Sequence, residues 1–306
     1  MKKFLVTTLP GLEIYLAKEL QDAEIIYNGR VNTSHAATTC RLGIYIIEIH
    51  AQFKFNNFND IISKNIDLPF NQVTCKRMGE HPFTSQNVRD AFMKKSTDSN
   101  NTCFIDIIDE LCTIGLLINK KKLSSRSYHM HIHSGSVPPL IAAAALAISE
   151  YTPKKSLCDP FCRDGVILIE AGILGGKELT GIDKKNSIRN AKINAEVAEV
   201  NINLNIGDYK NMPSCDQVVT KPFEFTSKVK ADKTAGKLKE FLIMTQVKQV
   251  ESLTLIMNHP GKIKDIALEC GFLVKRTAVI SSGQLQWYIT VLHPKTAILG
   301  VFDKKL

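Results

Sequence analysis

The sequence lacks several patterns that would place it in a familiar functional class. It has no Cys-x-x-Cys pair, no Gly-x-x-x-x-Gly-Lys phosphate loop and no apolar run long enough to span a bilayer. Its eight cysteines are scattered, and Cys158 and Cys162 have no second pair with which to hold zinc. We therefore predict no metal site, and we interpret the cysteines as reduced thiols of a cytoplasmic protein.

Positive charge is what the sequence does have. Its 306 residues carry a formal net charge of +9, and the pI is near 9.0. A positive net charge favours an anionic partner, nucleic acid first and a membrane surface second. Solvated surface lysines without any partner would give the same net charge. The length is enough for two domains.

The first half mixes strands and helices. Residues 42–53 are rich in β-branched side chains and predict a strand, and residues 104–118 predict two strands joined by a turn. Residues 85–96 have helical spacing, with Ser85 as the expected N-cap. The polar, basic and turn-rich stretch 119–139 is the expected linker to a second domain.

The second half repeats strand–helix units. A strand at 156–160 precedes a helix at 165–174, and a strand at 178–183 precedes a helix at 187–199. Such repeats predict an α/β domain with a parallel sheet between two layers of helices. Residues 272–294 predict a terminal hairpin, which would add an antiparallel edge.

The stretch SLCDPFCRDGVILIEAG, residues 156–172, combines a short strand, a tight turn and a helix, the arrangement that cradles nucleotide-like ligands. Three acids follow successive strands: Asp159, Asp183 and Asp208. Asp183 lies about 20 residues beyond the turn, where an acid typically binds ribose hydroxyls. Asp208 could accept a hydrogen bond from an adenine amino group. A lone Asp is also a common turn or capping residue, and that alternative stays open for each.

The same stretch resembles the DPFCG[ST]G…ILIEA loop of class I S-adenosylmethionine-dependent methyltransferases that act on RNA. FLVTTLPGLEIYLAKEL, VTCKRMGEHPFTSQNVRDAF and SSRSYHMHIHSGSVPPLIAAAALAIS resemble successive parts of the THUMP-containing tRNA methyltransferases. The resemblance implies a ferredoxin-like region at 1–54, an α+β THUMP RNA-binding domain at 55–135 and a Rossmann-like methyltransferase domain at 136–306. It also implies methylation of the exocyclic amine of a tRNA guanosine, a reaction typical of the archaeal members.

The residues that would bind S-adenosylmethionine follow from the same resemblance. They are Asp159, Pro160, Phe161, Cys162, Arg163, Gly165, Asp183 and Asp208. The chain departs from the family at Arg163, where the family has a glycine that lets the backbone approach the cofactor. Two alternatives are open: the arginine side chain obstructs the site, or it swings outward to solvent or RNA phosphate.

A second departure affects the chemistry. The family carries [ND]-P-P-[YF] after its fourth strand, where the Asn or Asp oxygen accepts a hydrogen bond from the target amine and the aromatic ring stacks on the flipped base. This chain has Lys221, Pro222, Phe223 and Glu224 there. A lysine ammonium is only a donor, so Lys221 cannot replace the acceptor. Glu224 is the alternative acceptor, and Phe223 or Phe225 could still stack on a base.

Basic residues outside these motifs are candidate phosphate contacts. The residues predicted to bind RNA are Lys76, Arg77, Lys120, Lys121, Lys122 and Arg126. His129, His131 and His133 alternate along the chain and could share a metal, but no further ligand is evident, and we favour no metal. The sequence thus predicts a tRNA-binding methyltransferase or, because of Arg163 and Lys221, an inactive homologue that binds tRNA and serves an active protein partner.

Overall fold

The computed structural model describes residues 2–36, 38–225 and 231–295, and it divides the chain into two compact units, Met1–Ser124 and Ser125–Leu306. No helix within these described stretches is long and apolar enough to cross a membrane. The eight cysteines are all free thiols. Each unit contains one seven-stranded sheet.

The first unit is α+β. Its strands are β1 (Phe4–Thr7), β2 (Glu24–Tyr27), β3 (Arg30–Thr33), β4 (Tyr45–Lys54), β5 (Gln72–Met78), β6 (Thr102–Ile108) and β7 (Leu111–Leu117). Its helices are α1 (Glu13–Glu19), α2 (Phe58–Ile62) and α3 (Ser85–Met93). The strands lie in the order β2-β3-β1-β4-β7-β6-β5, and every neighbouring pair is antiparallel except β5 and β6.

This single sheet continues across the boundary expected after residue 54, because β4 pairs with both β1 and β7. The expected ferredoxin-like region and most of the expected THUMP region therefore lie in one unit. That unit ends at Ser124, inside the predicted linker. The THUMP assignment itself remains a prediction.

Two local features differ from expectation. The N-cap of α3 is Thr84 and not Ser85, since the Thr84 hydroxyl accepts from the backbone N–H of Asn87 and the Asn87 side chain accepts from the Thr84 N–H in return. The hairpin of β2 and β3 is absent from the sequence prediction. Its signal was the dipeptide Asn28-Gly29, whose φ angles of 47° and 79° suit a tight hairpin turn.

The second unit has the predicted α/β architecture. Its strands are β8 (Leu157–Asp159), β9 (Leu179–Asp183), β10 (Asn203–Ile206), β11 (Gln217–Thr220), β12 (Ser252–Met257), β13 (Phe272–Ser282) and β14 (Leu285–Pro294). Its helices are α4 (Pro139–Ile148), α5 (Val166–Ile173), α6 (Lys185–Val197), α7 (Ala231–Val247) and α8 (Ile263–Glu269), with a 3₁₀ turn at Tyr209–Asn211. Strands β8 to β12 are parallel, and the terminal hairpin is antiparallel, as predicted.

The strand order β10-β9-β8-β11-β12-β14-β13 fixes where a ligand can bind. From β8 the chain runs outward to β9 and β10, then returns to place β11 on the other side of β8. The segments that follow β8 and β11 therefore leave the sheet in opposite directions. In open α/β sheets this reversal creates a crevice at the carboxyl ends of the strands. The loop at 159–165 and the motif at 221–224 both lie at this crevice.

A buried ion pair joins distant strands of the first unit. The Arg30 guanidinium on β3 donates two hydrogen bonds, of 2.9 and 2.7 Å, to the carboxylate of Asp106 on β6. Both side chains are at least nine-tenths buried. Removing one partner would leave the other charge buried without compensation.

We therefore expect Asp106→Ala to lower the free energy of unfolding by about 3–5 kcal/mol. The double variant Arg30→Met/Asp106→Leu, which removes both charges and keeps side-chain volume, should recover most of that loss. Urea denaturation of the three proteins measures both changes. A loss below about 1 kcal/mol for Asp106→Ala would show that the pair behaves like an exposed one.

Candidate functional site: the crevice between β8 and β11

The loop after β8 has the backbone of a ligand-binding turn. Gly165 precedes α5 with a φ of 82°, and a Cβ added there would lie 3.1 Å from the Cβ of Ala191 on α6. Glycine therefore suits the turn through its positive φ, and it also suits the close packing of the two helices. Arg163 also has a positive φ, of 48°, which is uncommon for a residue other than glycine. The loop thus keeps a glycine-like conformation where the side chain is arginine.

Asp159 ends β8 and is buried beneath this loop. Its Oδ1 accepts hydrogen bonds from the Thr220 hydroxyl at 2.6 Å and from the Phe161 backbone N–H at 3.1 Å. Desolvation raises the pKa of Asp159 from an ordinary 3.8 to about 6, against the opposing effect of these two hydrogen bonds. Asp159 therefore fastens the loop to the end of β11. Its neighbours Pro160 and Cys162 are also buried, and burial raises the pKa of the Cys162 thiol.

Asp183 and Asp208 occupy the next two strand ends. Asp183 is partly exposed at the end of β9; its Oδ2 accepts from the Arg163 backbone N–H at 2.9 Å, and its Oδ1 accepts from the Lys184 N–H at 2.7 Å. Asp208 is exposed, and its carboxylate accepts from the Lys210 N–H at 3.1 Å as the N-cap of the 3₁₀ turn. Asp183 thus faces the loop, as a ribose-binding acid would, whereas Asp208 has the capping role that its sequence also allowed.

The Arg163 side chain turns into the crevice. Its Nη1 donates to the Lys221 backbone carbonyl at 2.8 Å and is 3.2 Å from the Phe161 carbonyl. The guanidinium therefore connects the segment after β8 to the segment after β11. Of the two alternatives left open by the sequence, these contacts correspond to the inward one.

Lys221 lies at the end of β11 and is 8% exposed. Its Nζ is 3.1 Å from Oε1 of Glu224 and 5.7 Å from the ring centre of Trp287 on β14. The same Glu224 oxygen accepts from the Asn258 backbone N–H at 3.2 Å. The Glu224 carboxylate thus neutralises a nearly buried lysine, and the oxygen that contacts Lys221 also holds the end of β12.

Phe223 belongs to an aromatic cluster with Phe161, Tyr209 and Phe241, whose ring centres are 5.0 to 5.8 Å apart. These mostly edge-on contacts connect the loop after β8 with α7. Phe223 is partly buried, and Pro222 is buried. The ring predicted to stack on a base therefore packs largely against its own protein.

The segment that precedes α4 is fixed by a carboxylate that sequence reasoning missed. Asp164 is buried, and its side chain accepts hydrogen bonds from the Ser136 hydroxyl and the His133 backbone N–H, with the His129 ring nitrogen 3.2 Å away. The Asp next to Arg163 in the turn was the available signal. No group of three or more histidine, cysteine or acidic residues able to hold a metal occurs in the described parts of the chain, and His129 is instead bound to Asp164.

The residues predicted to bind RNA have different surroundings. Lys76, Lys120, Lys121 and Lys122 are exposed. Arg77 is partly buried, and its Nη1 donates to the Gly79 carbonyl and contacts the His81 ring.

Arg126 has a side chain only 7% exposed, and it bonds to the fully buried Glu170 at 3.0 Å. The buried tyrosine Tyr128 donates to the same carboxylate at 2.6 Å. The exposed lysines are therefore accessible to phosphate, although Lys122 Nζ lies 5.9 Å from the ring centre of Tyr45, whereas Arg126 has an internal role in the second unit.

The sequence of the second unit is similar to that of known methyltransferases. Residues 126–240 match the family model described as UPF0020, RMKL-like, methyltransferase domain. A putative RNA methyltransferase, YpsC, from Bacillus subtilis (strain 168) is 23% identical over 223 residues, which cover 60% of this chain and 58% of that protein. The tRNA (guanine(6)-N2)-methyltransferase of Thermus thermophilus is 27% identical over 202 residues, 54% of this chain and 59% of that protein. The chain therefore spans a little over half the length of these curated relatives.

Solved structures extend the likeness to most of the chain. The structure of TrmN from Thermus thermophilus has a TM-score of 0.76 at 20% identity and covers 96% of this chain and 100% of that one. SMU.472, a putative methyltransferase complexed with SAH, has a TM-score of 0.75 at 16% identity and covers 96% and 98%. The protein has the Rossmann-like α/β fold of methyltransferases, and S-adenosylmethionine is the cofactor expected with it.

The site fits this cofactor in part. Asp183 and the positive-φ turn suit the adenosine end, because a carboxylate at the end of the second strand can accept from ribose hydroxyls. The cationic methionine end of the cofactor fits less well, since a positive charge near the carbonyls of Phe161 and Lys221 would meet the Arg163 guanidinium. An ammonium that approached these carbonyls would compete with the guanidinium for them.

The raised pKa of Asp159 predicts how stability depends on pH. The folded state holds this proton more tightly than the unfolded state, so the free energy of unfolding loses about 2 kcal/mol as pH rises from 4 to 7. Asp159→Asn should lack that loss, because an amide stays neutral and its oxygen can still accept from Thr220. As the pH rises, Asp159→Asn should therefore become more stable relative to wild type.

Urea denaturation at several pH values measures this shift. Asp208→Asn, which makes the same change at an exposed carboxylate, is the control for the substitution itself. A difference between wild type and Asp159→Asn that stays constant from pH 4 to 7 would show that Asp159 titrates normally.

Proposed function

We propose that the protein is an S-adenosylmethionine-dependent RNA methyltransferase that modifies the exocyclic amine of a guanosine in tRNA. The observation that carries the proposal is the crevice between β8 and β11, where the positive-φ loop and the carboxylate of Asp183 suit an adenosine. The match of residues 126–240 to an RMKL-like methyltransferase domain supports the reaction class.

The choice of tRNA guanosine is supported by the relatives. Two of them, from Thermus thermophilus and Archaeoglobus fulgidus, are named tRNA (guanine(6)-N2)-methyltransferase, at 27% and 24% identity. The exposed Lys76, Lys120, Lys121 and Lys122 and the net charge of +9 support a polyanionic substrate. We assign RNA binding to the first unit, as a THUMP-like region, and we place the protein in the cytoplasm.

A second candidate is a tRNA-binding homologue without methyltransferase activity, acting as the partner of an active protein. The arrangement of Lys221 and Arg163 favours it. Transfer to an exocyclic amine needs an acceptor that aims the nitrogen lone pair, and Lys221 offers only donors. Its Nζ is paired with Glu224, the alternative acceptor in the motif, and its carbonyl is held by Arg163.

The first prediction of this proposal concerns tRNA binding. Changing Lys120, Lys121 and Lys122 together to Ala should weaken tRNA binding and reduce the slope of log K against log salt concentration by about 2–3, because each phosphate contact releases about one counterion. Fluorescence anisotropy with labelled tRNA between about 50 and 300 mM salt measures both quantities.

The matched control changes three exposed lysines of the second unit, Lys154, Lys177 and Lys192, to Ala. It removes the same total charge from another part of the chain. Equal losses in the two triple variants would show that tRNA responds only to net charge. An unchanged affinity in the first variant would remove residues 120–122 from the RNA-binding surface.

The second prediction concerns catalysis. If the protein methylates tRNA, Glu224→Gln should lower the rate by at least about tenfold, which corresponds to about 1.4 kcal/mol. The substitution keeps an oxygen that can accept but removes the carboxylate's charge, and it leaves the Lys221 ammonium without its neutralising partner. Affinity for tRNA should remain within about twofold of wild type, because the change lies in the crevice of the second unit. The assay is methyl incorporation from labelled cofactor into unmodified tRNA.

Glu251→Gln is the control for this assay, since Glu251 forms an exposed ion pair with Lys155 at the amino ends of the strands. Wild-type transfer that survives Glu224→Gln would mean that the negative charge of Glu224 takes no part in catalysis. An inert wild type that binds tRNA, together with transfer restored by Arg163→Gly/Lys221→Asn, would establish the second candidate.

A further inference from the structure

Two backbone carbonyls in the crevice converge on one guanidinium nitrogen. The carbonyl oxygens of Phe161 and Lys221 are 3.2 and 2.8 Å from Nη1 of Arg163. They come from segments that follow two adjacent parallel strands, β8 and β11. Carbonyl oxygens only accept hydrogen bonds, so such a pair suits a donor that carries positive charge. In this protein the donor is one of its own side chains.

The position of Arg163 relates this carbonyl pair to the adenosine end of the crevice. Its backbone N–H donates to Asp183 at 2.9 Å, while its side chain extends to the end of β11. A single residue thus lies between the acid that suits ribose and the carbonyls that suit an ammonium. A ligand that bound both ends at once would have to displace the guanidinium but could leave the backbone of the loop unchanged.

We propose that, in the RNA-free protein, this crevice binds adenosine thioethers without an amino-acid tail in preference to S-adenosylmethionine. The simplest ligand of this class is 5′-methylthioadenosine. The inference rests on the proposed role of the loop in binding adenosine. It adds a selectivity between ligands with and without the amino-acid tail, and that selectivity is due to Arg163. The guanidinium occupies the pair of carbonyls that would suit a cofactor ammonium.

Charge acts in the same direction as this competition. S-adenosylmethionine carries a sulfonium and an ammonium against one carboxylate, so its tail is a net cation, and an arginine side chain keeps its charge at every accessible pH. Lys221 adds no net charge that would alter the balance, because Glu224 is 3.1 Å from its ammonium. In a partly buried crevice, repulsion between like charges is screened less than in water. A neutral thioether experiences neither the repulsion nor the competition.

Isothermal titration calorimetry with S-adenosylmethionine, S-adenosylhomocysteine and 5′-methylthioadenosine tests the inference. Wild type should bind 5′-methylthioadenosine at least tenfold more tightly than S-adenosylmethionine. In Arg163→Gly, the affinity for S-adenosylmethionine should rise at least tenfold, while the affinity for 5′-methylthioadenosine should change less than threefold. S-adenosylhomocysteine, which has the ammonium but no sulfonium, should fall between the two in wild type.

Two further variants keep the outcome clear. Arg163→Gln removes the charge while keeping a polar side chain, and it should also reduce the preference for 5′-methylthioadenosine over S-adenosylmethionine. Lys192→Gln removes one exposed positive charge from α6 and should leave that preference unchanged. The inference is overturned if wild type binds S-adenosylmethionine as tightly as the thioether, if Arg163→Gly strengthens both ligands equally, or if neither ligand binds. The first of these outcomes would leave the proposed methyltransferase function intact, whereas the last would remove its cofactor site as well.

Discussion

The chemistry of the second unit depends on one topological constraint, the reversal of strand order between β8 and β11. Because the segments after these strands diverge, carbonyls just beyond the strand ends have no neighbouring strand to pair with at that edge. Those of Phe161 and Lys221 must be satisfied by a ligand, by water or by a side chain. Arg163 satisfies both. The unpaired carbonyls that make such sheets good binding sites are here bound by a side chain of the same protein.

A second consequence of the constraint is the division of labour among the acids at the strand ends. Asp159 is buried and holds the loop to β11 through Thr220, so its role is to shape the crevice. Asp183 is partly exposed beside the loop backbone and is the acid best placed for a ribose. Asp208 caps a 3₁₀ turn. Equal sequence patterns thus lead to three roles, because burial and the local backbone differ at each position.

The sequence was sufficient to predict the alternation of strands and helices in the second unit, since hydrophobic periodicity and turn residues are local signals. It also located the crevice, because Asp159 and Gly165 occur in a recognisable order. The direction of the Arg163 side chain could not be predicted, because it depends on the Lys221 carbonyl, 58 residues away. The role of Asp164 as an acceptor for residues 129–136 is likewise long-range.

The departures from the expected motifs are mutually consistent. A nearly buried ammonium at position 221 would be costly if unpaired, and Glu224 provides its counter-charge within the same motif. The inward guanidinium of Arg163 would be costly without acceptors, and it has two. Buried polar groups in native structures nearly always have hydrogen-bond partners. The side chains of Lys221, Glu224 and Arg163 all have partners within the protein, so any ligand that enters the crevice must compete with contacts that the protein already makes.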